Sequence, residues 1–122
     1  MPHRLIDPFS SPRKLSQSVV QAGEMLGLVR AEVARLLEFR CENISALYAG
    51  KLVLEEGTIA YQQSVLFIRF YQALYDHMAG DEPKMIHWLR GQKRELNNSP
   101  FYLMIDEGKL VQVLEYLESL KN

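Results

Sequence analysis

Apolar residues recur at helical spacing along almost the whole chain. Leu15, Val19, Ala22 and Leu26 fall on one helical face. Ser11-Pro12 stands ahead of them as a helix start, because proline is tolerated where no intrahelical donor is needed. Gly27 follows where a left-handed stop is expected. Ala31, Val33, Ala34 and Leu37 predict a second, short helix, and Ile44, Leu47 and Tyr48 a third, closed by Gly50. The longest periodic stretch runs from Thr58 to Met78. Its predicted apolar stripe is Ile59, Val65, Leu66, Phe70, Leu74 and Met78, with Phe67, Tyr71 and Tyr75 on the flanks and Gly80 at the end. Asp81 is placed to cap the next helix, whose apolar residues are Met85, Ile86, Trp88 and Leu89. Gly91 to Asn98 is polar and reads as loop. Ser99-Pro100 restarts a short helix, Glu107-Gly108 breaks it, and Leu110, Val113, Leu114 and Leu117 mark a final amphipathic helix. No segment alternates with a two-residue period between hairpin turns. The expected fold class is therefore all-α, a bundle of about six to eight helices.

Composition bounds the picture without redirecting it. A chain of 122 residues, 48% of them apolar, suits one compact domain or two tightly packed subdomains, and argues against disorder throughout. The prolines at 2, 8 and 12 and the Ser10-Ser11 pair give residues 1–14 the look of a loose arm. Cys41 is the single cysteine, so no internal disulfide can form, which fits a reducing cytosol. The N-terminus lacks the continuous apolar run of a signal peptide. The most apolar stretch, Ser64 to Leu74, is interrupted by Arg69 and Gln72 and is too short and polar to span a bilayer. A soluble cytoplasmic protein is expected. Its net charge of −1 hides a modest asymmetry: residues 1–53 carry seven Lys/Arg against five Asp/Glu, and residues 54–122 seven against ten. A mildly basic front and an acidic rear can suit different partners.

Two segments invite a functional reading. In the first, Leu26 to Gly50, the spacing suits a helix-turn-helix. Ala34 is small where two helices must cross, Val33 and Leu37 face the bundle, and Ile44 and Leu47 anchor the third helix. That leaves Arg40, Asn43, Ser45 and Tyr48, with Arg30 and Lys51 beside them, to face a DNA groove or its phosphates. The same spacing also fits a plain helix pair in a bundle, and Glu38 and Glu42 would repel phosphate. The second segment is the last helix, whose apolar stripe is expected to exceed what the core needs. Val113, Tyr116 and Leu117 are the candidate partner contacts, with Glu107 and Lys109 at the rim. Trp88 and Phe70 are read as core, and Tyr71 and Tyr75 as a shared two-fold interface, since tyrosine tolerates a half-wet site.

Catalytic chemistry finds little support. Cys41 has no histidine nearby in sequence and is read as a small filler between helices. His77 and His87 lack a companion at metal-ligand spacing. Asp106 and Glu107 are adjacent, so on a helix they point apart. Neither a phosphate loop nor a Ser-His-Asp set can be assembled. No enzymatic activity, cofactor or metal is expected.

From about Val19 to Leu120 the chain resembles antitoxins of the Xre/MbcA/ParS type. Leu26-Gly27-Leu28, Ala31-Glu32, Ala34-Arg35-Leu36-Leu37 and Gly50 match the Xre-like helix-turn-helix. Trp88-Leu89, Leu96, Ser99-Pro100, Glu107-Gly108, Val111 and Leu114 match the toxin-binding domain. Val29-Arg30 replaces the family's frequent Ser-Gln, and Glu38 stands where glycine is frequent. The resemblance implies an Xre-like helix-turn-helix over 15–53, a connecting and dimerisation helix over 54–80, and a toxin-binding domain over 81–122. It also implies a function: the antitoxin of a type II system, a homodimer that covers the active site of a RES-type NAD-degrading toxin. The complex would bind operator DNA and repress its own operon. The alternative is a stand-alone helix-turn-helix transcriptional regulator.

Overall fold

The Ser11 hydroxyl accepts a hydrogen bond from the Lys14 amide at 3.1 Å, and Pro12 fills the first turn. Together they start α1, Pro12–Met25, in a computed structural model that describes Leu5 and residues 7–120. Six further α-helices follow: α2 (Arg30–Leu37), α3 (Cys41–Tyr48), α4 (Ile59–His77), α5 (Glu82–Arg90), α6 (Pro100–Ile105) and α7 (Leu110–Ser119). The stretch expected as loop between α5 and α6 contains a single 3-10 turn, Arg94–Leu96, with Leu96 buried. Among the described residues the nearest approach to a sheet is one isolated bridge, Lys93 to Asn98. The fold is all-α.

The N-terminal segment is less loose than its prolines suggest. Of the expected arm, residues 1–4 and 6 lie outside the described residues. Leu5 and Pro8 are buried, the Ser10 amide donates to the Asp7 carbonyl at 3.1 Å, and residues 12–14 already belong to α1.

The long helix α4 packs against α1, α2, α5 and α7. Its buried residues are Ala60, Ser64, Phe67, Ile68, Phe70, Tyr71 and Leu74. The expected stripe is therefore rotated. Ile59, assigned to it, is 60% exposed, while Phe67 and Tyr71, assigned to its flanks, are fully enclosed. A helix covered from several directions has no single apolar face, and the surrounding helices decide which side is deepest. The Ser64 hydroxyl survives burial by donating to the Ala60 carbonyl at 2.7 Å.

Opposite α4, α7 buries Leu110, Val113, Leu114 and Leu117. Each such side chain stabilises the fold by roughly 1.5–3 kcal/mol relative to exposure. One contiguous core includes residues from all seven helices, so the stretches 15–53, 54–80 and 81–122 share an interior. Polar ties reinforce the joints. Gln63 Nε2 donates to the Leu36 carbonyl at 3.1 Å, covering the end of α2. Arg69 meets Glu118 at 3.1 Å. The Leu54 amide donates to the buried Ser16 hydroxyl at 2.9 Å, which holds the segment after α3 onto α1. No described helix is long and apolar enough to cross a membrane.

Candidate interaction surfaces

The pair α2 and α3 is joined by only Glu38, Phe39 and Arg40. Such a tight connection needs a residue in the left-handed region, and Glu38 occupies it at φ 56°. That is the physical reason a glycine would suit this position. The helices also start without side-chain help. Val29 caps α2 and has no oxygen to offer, although the Glu32 carboxylate accepts from the Val29 amide at 2.9 Å. Arg40 stands at the cap of α3 without a side-chain cap.

Ile44 and Leu47 are the buried residues of α3. Its remaining surface presents Cys41, Glu42 and Ser45 fully and Asn43 in part, with Arg40 before it and Lys51 after it, both exposed. The structure thus leaves Arg40, Ser45 and Lys51 accessible and Asn43 half accessible. Tyr48 is the exception. Its hydroxyl is buried without a hydrogen-bond partner and lies against Gly23 of α1, where an added Cβ would come within 3.2 Å of it. It cannot reach a phosphate from there. Arg30 stacks its guanidinium 4.7 Å above the Tyr48 ring instead of standing free. Burial, then the nearby Glu24 carboxylate, push the Tyr48 hydroxyl above its ordinary pKa, with Arg30 pulling the other way.

The C-terminal candidates divide more sharply. Val113 is 0% exposed and Leu117 2%. Both belong to the interior, so the expected docking stripe on α7 is consumed by contact with α4 and α6. Tyr116 is half-buried, stacked on Trp88 with ring centroids 6.3 Å apart and donating to Glu95 at 3.1 Å. Burial and then this bond raise its pKa. Glu107 and Lys109 are exposed, 3.9 Å apart, at the corner between α6 and α7. Gly108 makes that corner at φ 67°.

The accessible apolar groups of this region are Tyr102 (39% exposed) and Val111 (47%), one on each side of the corner. Tyr102 is hydrogen-bonded to Glu107, and this bond is the leading cause of its raised pKa. The pattern of α7 contained the signal for Val111: if Leu110, Val113, Leu114 and Leu117 share one face, Val111 lies off it. Tyr102 had no such signal, because α6 has only six residues. The corner is tied to the helix pair by an ion pair between Arg35 of α2 and Asp106. Arg90 of α5 adds a second tie, stacking over Phe101 at 4.2 Å while its guanidinium donates to the Gly27 carbonyl at 3.4 Å.

No family model matches the chain, and no curated protein matches it.

The remaining candidates fall into place by burial. Trp88 is 8% exposed and Phe70 fully buried, with ring centroids 6.1 Å apart, so both are core. Tyr71 is 1% exposed and cannot form a surface shared between protomers. Tyr75 is half-buried and covers the turn after α4: a Cβ on Gly80 would lie 3.0 Å from its ring. Cys41 does not fill a gap between helices. It is exposed, at the first position of α3. Among the described residues no group of three or more His, Cys, Asp or Glu could hold a metal ion.

Proposed function

We propose that this chain is an interaction protein: a cytoplasmic antitoxin that neutralises a protein toxin by covering its active site. The observation that carries the reading is the corner between α6 and α7. It offers Tyr102 and Val111 to solvent and flanks them with Glu107 and Lys109, an apolar contact with a charged rim of the kind protein interfaces use. Steric cover needs complementarity only, and no chemistry from this chain. The resemblance to Xre/MbcA/ParS-type antitoxins supplies the partner class, a RES-type NAD-degrading enzyme. It also supplies the expectation of a homodimer, which would use surfaces other than Tyr71.

Co-expression with the product of the adjacent gene tests the reading. A stable complex and loss of NAD degradation are expected. Persistent toxin activity with no complex overturns it.

A second reading, a DNA-binding transcriptional regulator acting alone or with its toxin on operator DNA, draws on the α2–α3 pair. Its tight turn and the exposed Arg40, Ser45 and Lys51 favour it. Arg40→Ala and Asn43→Ala then weaken promoter binding, and wild-type affinity falls steeply as salt rises. Unchanged binding in both variants removes α3 from the interface.

A further inference from the structure

Away from that corner, α5 and its flanks form a hollow of about 400 Å³ lined by Met78, Pro83, Lys84, His87, Trp88 and Lys93. Met78, Pro83 and the edge of Trp88 give it an apolar lining. Three basic side chains stand around them. The Lys93 ammonium lies 4.9 Å from the centre of the Trp88 ring, where burial lowers its pKa. Among the described residues Lys84 and Lys93 hold no ion pair, so neither ammonium is neutralised by a carboxylate of this chain. The neighbouring acids are engaged elsewhere or lie off the lining: Asp81 accepts from the Lys84 amide at 3.2 Å and Glu95 accepts from Tyr116, and Glu82 is not among the lining residues.

We infer that this hollow is a second anchor for the protein partner, and that it takes an apolar side chain flanked by carboxylates. Charge complementarity gives the sign: the lining holds two lysines and a histidine and no acidic residue. The shape argues for a segment of a larger molecule. One helix and its two flanks wall the hollow, so a small ligand would stay wet on its far side, whereas small-molecule sites enclose most of their ligand. A protein segment brings the missing wall with it. Lys93 would give up its contact with Trp88 for a carboxylate that the indole cannot match. The inference rests on the docking reading proposed above and names the chemistry of the partner at a surface which that reading does not use.

The test compares wild type with K84E/K93E and K84M/K93M, each co-expressed with the adjacent gene's product and measured by titration calorimetry at two salt concentrations. The Met pair keeps the aliphatic stems over Trp88 while removing the charge, so loss of packing is separated from loss of electrostatics. Thermal melts of the free variants show that folding is retained. The expected result is a complex weakened at least tenfold by the Glu pair and less by the Met pair, with the salt dependence of wild type reduced in both. Unchanged affinity in both variants overturns the inference and leaves the docking reading standing. No wild-type complex overturns the docking reading and the inference together.

Discussion

The α2–α3 pair and the α5–α7 region are both short-helix assemblies, yet they are built on opposite principles. In α5 and α6 local chemistry and tertiary structure agree, and α7 alone of the three starts without a side-chain cap. Asp81 and Ser99 cap α5 and α6 by accepting from the amides of Lys84 and Tyr102, Pro83 and Pro100 sit in the first turns, and Gly108 takes the left-handed corner. In α2–α3 they disagree. Val29 and Arg40 stand at cap positions where their own side chains accept no amide, and Glu38 is held at a positive φ. That pair is held by its neighbours: Gln63 on the end of α2, Asp106 on Arg35, and Gly23 beneath Tyr48. The difference teaches where the molecule is self-sufficient and where it depends on the rest of the fold. The α2–α3 pair, the candidate nucleic-acid surface, is the dependent one.

The sharpest challenge to this contrast comes from α7. Leu117→Ala should cost about 2–5 kcal/mol, since it opens a cavity in the shared core. Val111→Ala should stay within about 0.5 kcal/mol while weakening partner binding. Chemical denaturation checks both, and a small loss for Leu117→Ala would return that residue to the surface. Next in size is Gly23→Ala. The new Cβ would meet Val33 Cγ2 at 3.0 Å and the Tyr48 hydroxyl at 3.2 Å, an overpacking that costs about 1–3 kcal/mol despite the helix preference for alanine. A stabilised Gly23→Ala would mean that α3 yields freely against α1.

Substitutions at the helix ends should then move in opposite directions in the two regions. Ser99→Ala removes a working cap and should destabilise by about 1 kcal/mol. Glu38→Gly relieves a left-handed residue and should stabilise by about 1 kcal/mol. Equal signs in paired thermal melts would remove the contrast.

The smallest effect at neutral pH, because it is confined to alkaline solution, concerns α4, which serves both regions. Burial first, then Tyr75 and Glu82, push the Tyr71 hydroxyl from 10.0 up to about 12. The folded chain therefore keeps a proton that the unfolded chain releases near pH 10. Stability from this group is complete below that pH and is lost as pH climbs through about 12. Tyr71→Phe should flatten the decline in a pH series of melts, and an unaltered slope would show that Tyr71 ionises as an exposed tyrosine does.

How much of this was legible beforehand follows the same division. The helix boundaries were readable because Ser11, Asp81 and Ser99 cap amides three residues ahead with their side chains, and Gly80 and Gly108 take left-handed backbone. The faces of α4 and α7 were not. On α7 the stripe was correctly located but assigned to a partner, because periodicity reports that a face will be buried without saying by what. Tyr71 and Tyr48 failed likewise: a tyrosine's ring and hydroxyl suit a half-wet surface or an enclosed site, and only the position of α1 over Tyr48 and of the core around Tyr71 decides between them. Cys41, a small apolar residue expected inside, is exposed at the first position of α3, where no preceding helical turn covers it.

The chain by itself determined the all-α class, the places where helices stop, and that each long helix would bury an apolar stripe. Those properties follow from capping, φ preference and periodicity, each acting within a few residues. Tertiary structure alone decided that α7 spends its stripe on α4, and that Tyr102 and Val111 are the apolar groups left exposed at the corner between α6 and α7. Each depends on residues far apart in sequence competing for the same interior volume, and local preference carries no information about which of them wins.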